Sequence, residues 1–217
     1  MNPFARITTF AATTALLAGP AFAQSGDYRD CLQTIKTEAM RQGVPGGVAD
    51  KAFQGLTPDQ KVIDLDARQP EFSLTYGKYV GNTVTADRIV KGQQRMAQHR
   101  TLLDALQAEY GIPPQYIMAF WGIETNYGSF MGDFRVVRSV STLACMTKRT
   151  AFFSNETVQA LRILNMNHMT SGEMRGSWAG AMGNMQFMPS TFTKWAVDRD
   201  GNGKIDIWNS LPDAFAS

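Results

Sequence analysis

Helical periodicity, with almost no competing strand pattern, restricts the fold of this chain more than any other feature. The run TADRIVKGQQRMAQHRTLLDALQAEYG sets Ile89, Met96, Leu103 and Leu106 along one side of a single amphipathic helix, expected from about Thr85 to Tyr110 and closed by Gly111. YRDCLQTIKTEAMRQG places Leu32, Ile35 and Ala39 on one face and ends at Gly43. VPGGVADKAF and TPDQKVIDLD read as short helices with proline near their starts, and QPEFSLTYGKYV spaces Phe72, Tyr76 and Tyr79 at helical intervals. In IPPQYIMAFWGIETNYG, Pro113 and Pro114 stand where a helix would begin. RVVRSVSTLACM, TAFFSNETVQALRILNMNHM and PSTFTKWAV predict three more helices, and NSLPDAFAS the opening turn of another. The one place where short strands are expected is around the polar turn DRDGNGKIDIW. The fold class is therefore mainly α.

With 217 residues, 44% of them hydrophobic, the chain suits one globular domain. A formal net charge of +2 gives no electrostatic case for a nucleic-acid partner. The beginning stands apart. MNPFARITTFAATTALLAGPAFAQ has one cation, Arg6, then an apolar run, Pro20 and the small-residue site Ala21-Phe22-Ala23. That order is a secretory signal peptide over residues 1–23, cut after Ala23, which leaves residues 24–217 as the mature domain outside the cytoplasm. Its apolar run is too short to span a bilayer, and no membrane span is expected elsewhere. In an oxidising compartment Cys31 and Cys145 form either a disulfide or two separate buried thiols. They are too few and too far apart for a zinc site, and His99 and His168 do not cluster with them.

One carboxylate sits in an apolar, aromatic context. On a helix starting near Pro114, Ile117, Phe120, Trp121 and Glu124 share a face, so Glu124 continues an apolar stripe. Desolvation there should raise its pKa, as a general acid requires. Gly122 and Gly128 keep the backbone slim on either side and leave room for something bulky. The alternative is a buried glutamate that merely pairs, for instance with Arg135 or Arg138.

Two further segments carry chemistry. GSWAGAMGNMQFMPS offers Ser177, Asn184 and Gln186 among small residues and methionine, a neutral hydrogen-bonding surface of the kind that binds N-acetylated sugars. The same composition also serves close helix–helix approach. DRDGNGKIDIW matches the first half of a calcium loop: Asp198, Asp200 and Asn202 alternate, Gly203 supplies the turn, and Lys204 would offer its carbonyl. The twelfth position is Asn209 rather than glutamate, and Asp213 is the carboxylate that could complete a longer loop. The alternative is a polar Asx turn with no ion.

Together these residues resemble the family of lytic murein transglycosylases of the membrane-bound B type, in a soluble form. The matching runs are QPEF, GNTVTADRIVKG, YGIPPQYIMAFWGIETNYG, TLAC, RTAFFSNE, GSWAGAMGNMQFMPSTFTKWAVDRDGNGKIDIWNS and DAFAS. The resemblance implies a lysozyme-like helical core with an additional N-terminal helical segment, located in the periplasm. It implies cleavage of the β-1,4 bond between N-acetylmuramic acid and N-acetylglucosamine in peptidoglycan strands, ending in a 1,6-anhydro sugar. Glu124 would be the single acid/base, with no catalytic cofactor and the substrate's own N-acetyl group in place of a second carboxylate. Ser177 and Gln186 would line the sugar groove, and a structural calcium ion completed by Asp213 would stiffen the loop.

The sequence also departs from the family pattern. Asn184 stands where glutamine is expected, Gly77 stands where an aromatic is expected, and the chain stops at Ser217 where the family continues. The domain is thus expected to be incomplete at its C-terminus. Two rivals follow: a non-catalytic peptidoglycan-binding or scaffold protein, and a lysozyme-type hydrolase using Asp133 as a second carboxylate.

Overall fold

A computed structural model describes residues 21–68, 75–167 and 169–217. Residues 1–20, which hold most of the expected signal peptide, the whole QPEF run with Phe72, and His168 lie outside the described residues.

The core forms around two helices that bury half or more of their residues. α8 (Val136–Met146) buries eight of its residues, among them Val136, Val137, Val140, Leu143 and Ala144. A helix buried on most of its circumference must be covered from several sides. α9 (Thr150–Asn167) lies along it, burying Phe153, Val158, Leu161 and Ile163. The remaining cover comes from α1 (Ala21–Arg41), α3 (Gln60–Arg68) and α10 (Pro189–Trp195). Two polar groups inside α8 meet neighbouring elements: Ser141 Oγ is hydrogen-bonded to Tyr28 Oη at 2.9 Å, and Asp59 N donates to Thr142 Oγ1 at 3.0 Å. Those two bonds fix the position of α1 and the approach to α3. Leu32, Ile35 and Ala39 form the buried face of α1, and a disulfide joins its Cys31 to Cys145 of α8, with the Cα atoms 5.8 Å apart. α2 (Gly46–Phe53) fills the corner between α1 and α9.

The second layer is α4 (Tyr76–Thr83), α5 (Ala86–Gln98), α6 (Arg100–Tyr110) and α7 (Pro114–Thr125). The single helix expected over 85–110 is in fact two. The chain bends at His99 (φ −105°, ψ 20°), where the imidazole meets the edges of Trp121 and Phe215 at centroid distances of 5.7 and 6.4 Å. Leu103 and Leu106 are buried as expected, but Ile89 is half exposed. α4 buries none of its residues, and nothing among the described residues stands within 4 Å of where a Cβ on Gly77 would lie. α11 (Leu211–Ala216) closes over α6 and lays Phe215 against Trp121.

Among the described residues the strands are β1 (Phe134–Arg135) and β2 (Arg175–Gly176), an antiparallel pair with Phe134 opposite Gly176 and Arg135 opposite Arg175. The strand pair expected at 198–208 is absent, because the side chains of Asp198, Asp200 and Asn202 bond the loop's own amides instead.

Candidate active site

α7 begins with Pro114 at its first turn and ends at Asn126, the first of three successive left-handed residues: Asn126 (φ 50°), Tyr127 (φ 61°) and Gly128 (φ 72°). Only the third is glycine, so neighbours must hold the first two in place. They do so from α5. Tyr127 Oη donates to Arg88 O at 3.0 Å, and Lys91 Nζ donates to Asn126 O at 2.8 Å and to Ser129 Oγ. The room expected beside Gly122 is taken by the protein itself, since Tyr127 lies against both Gly92 and Gly122.

Glu124 occupies the last turn of this helix. Its face differs from the expected one. Ile117, Met118, Trp121, Gly122 and Thr125 are buried, whereas Phe120, Ile123 and Glu124 point outwards, with Phe130 exposed nearby in sequence. Glu124 therefore stands at the border of the buried stripe rather than inside it. Partial desolvation still raises its pKa above the usual carboxylate value. The helix's C-terminal carbonyls, the negative end of its dipole, disfavour the anion further. Among the described residues it is the one carboxyl shifted upwards, and it has no hydrogen-bond or ion-pair partner there. Arg138 does not serve it: the guanidinium is 3.3 Å from Asp59 and donates to Thr57 O and Pro58 O.

The glycine-rich segment folds onto the end of α7. Thr125 Oγ1 donates to Asn184 O at 2.9 Å and accepts from Gly128 N. Trp121 Nε1 donates to Asn184 Oδ1 at 2.8 Å. The expected sugar contact by Asn184 is corrected by these bonds. The residue is 4% exposed, and both Nδ2 hydrogens go to the carbonyls of Ile207 (3.2 Å) and Trp208 (2.9 Å). It is a structural joint with no donor left for a ligand. Gln186 is held differently. Nε2 donates to Met131 O and Gly183 O, at a left-handed backbone (φ 50°), while Oε1 has no partner among the described residues. Ser177 Oγ accepts from Ala181 N at 3.0 Å, which leaves its own hydrogen uncommitted. Gly132 packs against the Gly176–Ser177 peptide so closely that a Cβ there would lie 2.1 Å from Gly176 O.

Behind this segment, ligand oxygens of Asp198, Asp200 and Asp213 lie within 4.8 Å of one another. Asp213 is fully buried, and its two oxygens accept from the amides of Arg199, Asp200 and Asp206. Arg199 and Lys204 turn away, to Glu109 at 2.5 Å and to Asp206 at 3.7 Å. Three converging carboxylates with no cationic side chain between them fit a hard divalent cation bound by oxygen. Asn209 does not face this cluster. It bonds Asp206, whose pKa is pushed up by burial but carried below the usual range by the amides of Asn209 and Trp208, the Asn209 side chain and Lys204.

Sequence reading missed Lys91, Arg88 and Tyr127 as supports of the turn after Glu124. The available signal was Gly92 in mid-helix, a residue usually kept there only for close packing.

The fold and its lone, partly desolvated acid define a lysozyme-like helical domain. The chain belongs to the family described as Transglycosylase SLT domain, whose model matches residues 27–217. It is 33% identical over 141 residues to membrane-bound lytic murein transglycosylase B of Escherichia coli (strain K12), covering 64% of this chain and 39% of that protein. It superposes on Pseudomonas aeruginosa SltB3 in complex with NAG-anhNAM-pentapeptide with a TM-score of 0.82, at 40% identity over 87% of this chain and 50% of that one. For the soluble lytic transglycosylase SltB1 of Pseudomonas aeruginosa the TM-score is 0.79, at 32% identity over 86% and 63%. The E. coli lytic transglycosylase Slt35 in complex with calcium gives 0.75, at 26% identity over 91% and 62%. The chain thus spans less than two thirds of the length of each of these relatives.

Proposed function

We propose that this chain is a peptidoglycan lytic transglycosylase, acting outside the cytoplasm after removal of residues 1–23, with residues 24–217 as its catalytic domain. The observation that carries the reading is the state of Glu124: a carboxyl pushed towards its neutral form, without a partner among the described residues, on the exposed side of the helix end to which the segment bearing Ser177 and Gln186 is bonded through Thr125 and Asn184. A protonated Glu124 donates its proton to the oxygen bridging N-acetylmuramic acid and N-acetylglucosamine. The resulting carboxylate then takes the proton of the muramic acid C6 hydroxyl, whose oxygen closes on C1. The bond to the leaving sugar breaks, a 1,6-anhydro ring forms, and no water enters. Ser177 offers a donor and Gln186 Oε1 an acceptor to the sugar. Apolar Phe120, Ile123 and Phe130 supply faces for it on the exposed side.

We further propose calcium at Asp198, Asp200, Asn202, the Lys204 carbonyl and Asp213, in a structural role. Bound there, the ion would neutralise the carboxylate cluster and cross-link the loop to α11. No helix among the described residues is long and apolar enough to cross a membrane.

The test is digestion of purified sacculi followed by muropeptide analysis. Anhydro-ended products are expected, and Glu124→Gln should lower their yield by about a hundredfold or more. Reducing ends would point to hydrolysis instead, and intact sacculi with bound protein to a scaffold.

A further inference from the structure

Away from Glu124, a depression of about 200 Å³ is lined by Lys61, Arg135, Arg138 and Arg175 together with Asp59 and Asp133. Four cations in one hollow are notable in a chain whose net charge is only +2. The strand register makes the concentration costly, because Arg135 and Arg175 are directly opposite each other on the β1–β2 ribbon. Like charges so placed repel.

Arg138 is paired with Asp59, but the heads of Arg175 and Lys61 are positioned without an ion pair among the described residues. Arg175 Nε and Nη1 donate to the carbonyls of Gly172 (2.9 Å) and Asp133 (2.7 Å), which leaves Nη2 free. Arg138 is fixed by the carbonyls of Thr57 and Pro58, and it is the group that neutralises Asp59. Lys61 Nζ lies over the Phe134 ring, 4.9 Å from its centroid. The Arg135 side chain has no hydrogen-bond or ion-pair partner among the described residues. Guanidinium groups preset by backbone carbonyls lose little freedom on meeting an oxyanion, and their forked geometry matches a carboxylate.

The hollow adjoins the segment assigned above to the sugar. Arg175 precedes Ser177 by two residues, and Gly132, the neighbour of Asp133, packs on the Gly176–Ser177 peptide. We propose that this depression is an anion subsite that takes a carboxylate of the peptide stem carried by the glycan strand, with Arg135 as the group that closes on it. The proposal rests on the lytic transglycosylase reading and names a specificity element for it.

Arg135→Gln is the clean probe, because its side chain ties no other part of the fold together. The measurement compares kcat/KM on glycan strands that carry their peptides and on strands stripped of them by an amidase. The intact protein should favour the peptide-bearing strands, and Arg135→Gln should cut that preference about tenfold through KM while turnover of bare strands stays unchanged. Equal losses on both substrates, or an unchanged preference, would overturn the proposal. A binding arm keeps the two readings separable: the free stem peptide is titrated into Glu124→Gln protein with and without Arg135→Gln. Peptide binding that needs Arg135 supports the subsite even if no strand is cleaved, and its absence refutes it. Inorganic phosphate is added as competitor at matched ionic strength. Displacement of the peptide by phosphate at lower concentration than by acetate would assign the hollow to phosphate and also refute the proposal.

Discussion

The turn after Glu124 depends on a tyrosine wedged between two helical glycines, and this can be tested by a mutant cycle whose outcome differs at the two positions. A Cβ on Gly92 would lie 2.3 Å from Tyr127 Oη but 3.0 Å from Cζ. A Cβ on Gly122 would lie 2.6 Å from Oη and 2.7 Å from Cζ. Gly92→Ala alone gains about 1 kcal/mol of helix propensity and loses about 1–3 kcal/mol to overpacking. Tyr127→Phe alone loses the bond to Arg88 O, about 1 kcal/mol. In the double variant Gly92→Ala/Tyr127→Phe the colliding oxygen is gone and the remaining ring carbon needs to move only a few tenths of an ångström. The propensity gain should then emerge, with a coupling of about 1–3 kcal/mol in urea unfolding. Gly122→Ala/Tyr127→Phe should recover far less, because Cζ itself is in the way. Additivity within about 0.5 kcal/mol at Gly92, or equal rescue at both glycines, would refute the wedge.

Other outcomes follow from the same structure. Glu124 has a raised pKa when folded, so the folded state holds its proton longer, and this group costs stability as pH rises above its unfolded value near 4.5. Glu124→Gln should therefore match the parent below that pH and gain in thermal midpoint above it, and cleavage by the parent should fall as pH rises through the same titration. Chelation should lower the thermal midpoint if calcium is bound, with calcium at a hundredfold excess over its Kd contributing about 2.7 kcal/mol. Asp213→Asn should abolish that calcium dependence, as read by calorimetry. Reducing Cys31–Cys145, which closes a loop of sequence separation 114, should cost up to about 5 kcal/mol in chain entropy, as measured by unfolding with and without reductant.

Much of the helical order was legible because periodicity and punctuation agree. Pro113-Pro114 opens α7, Gly111 ends α6, and the run RVVRSVSTLACM gives α8. The break at His99 was not legible: the apolar line runs through it, and histidine is no helix breaker. What holds it there is the ring contact with Trp121 and Phe215, distant in sequence. Glu124 was visible by contrast with its neighbours, but its position at the edge of the buried stripe was not. Phe120 and Ile123 are as apolar as Ile117 and Trp121, and only tertiary packing decides which pair is covered. Asn184 misled for a related reason. An amide in a glycine-rich loop looks the same whether it faces a sugar or the core, and its partners Trp121, Ile207 and Trp208 are 63, 23 and 24 residues away.

That amide carries a warning for anyone mapping this domain by mutagenesis. Because Asn184 joins the helix bearing the acid to the stretch that leads out of the carboxylate loop, replacing it would loosen both mounts together. In an alanine scan scored on product alone, position 184 would pass for a residue in touch with the proposed substrate. Only a parallel reading of folding would expose it as the bolt behind the machinery.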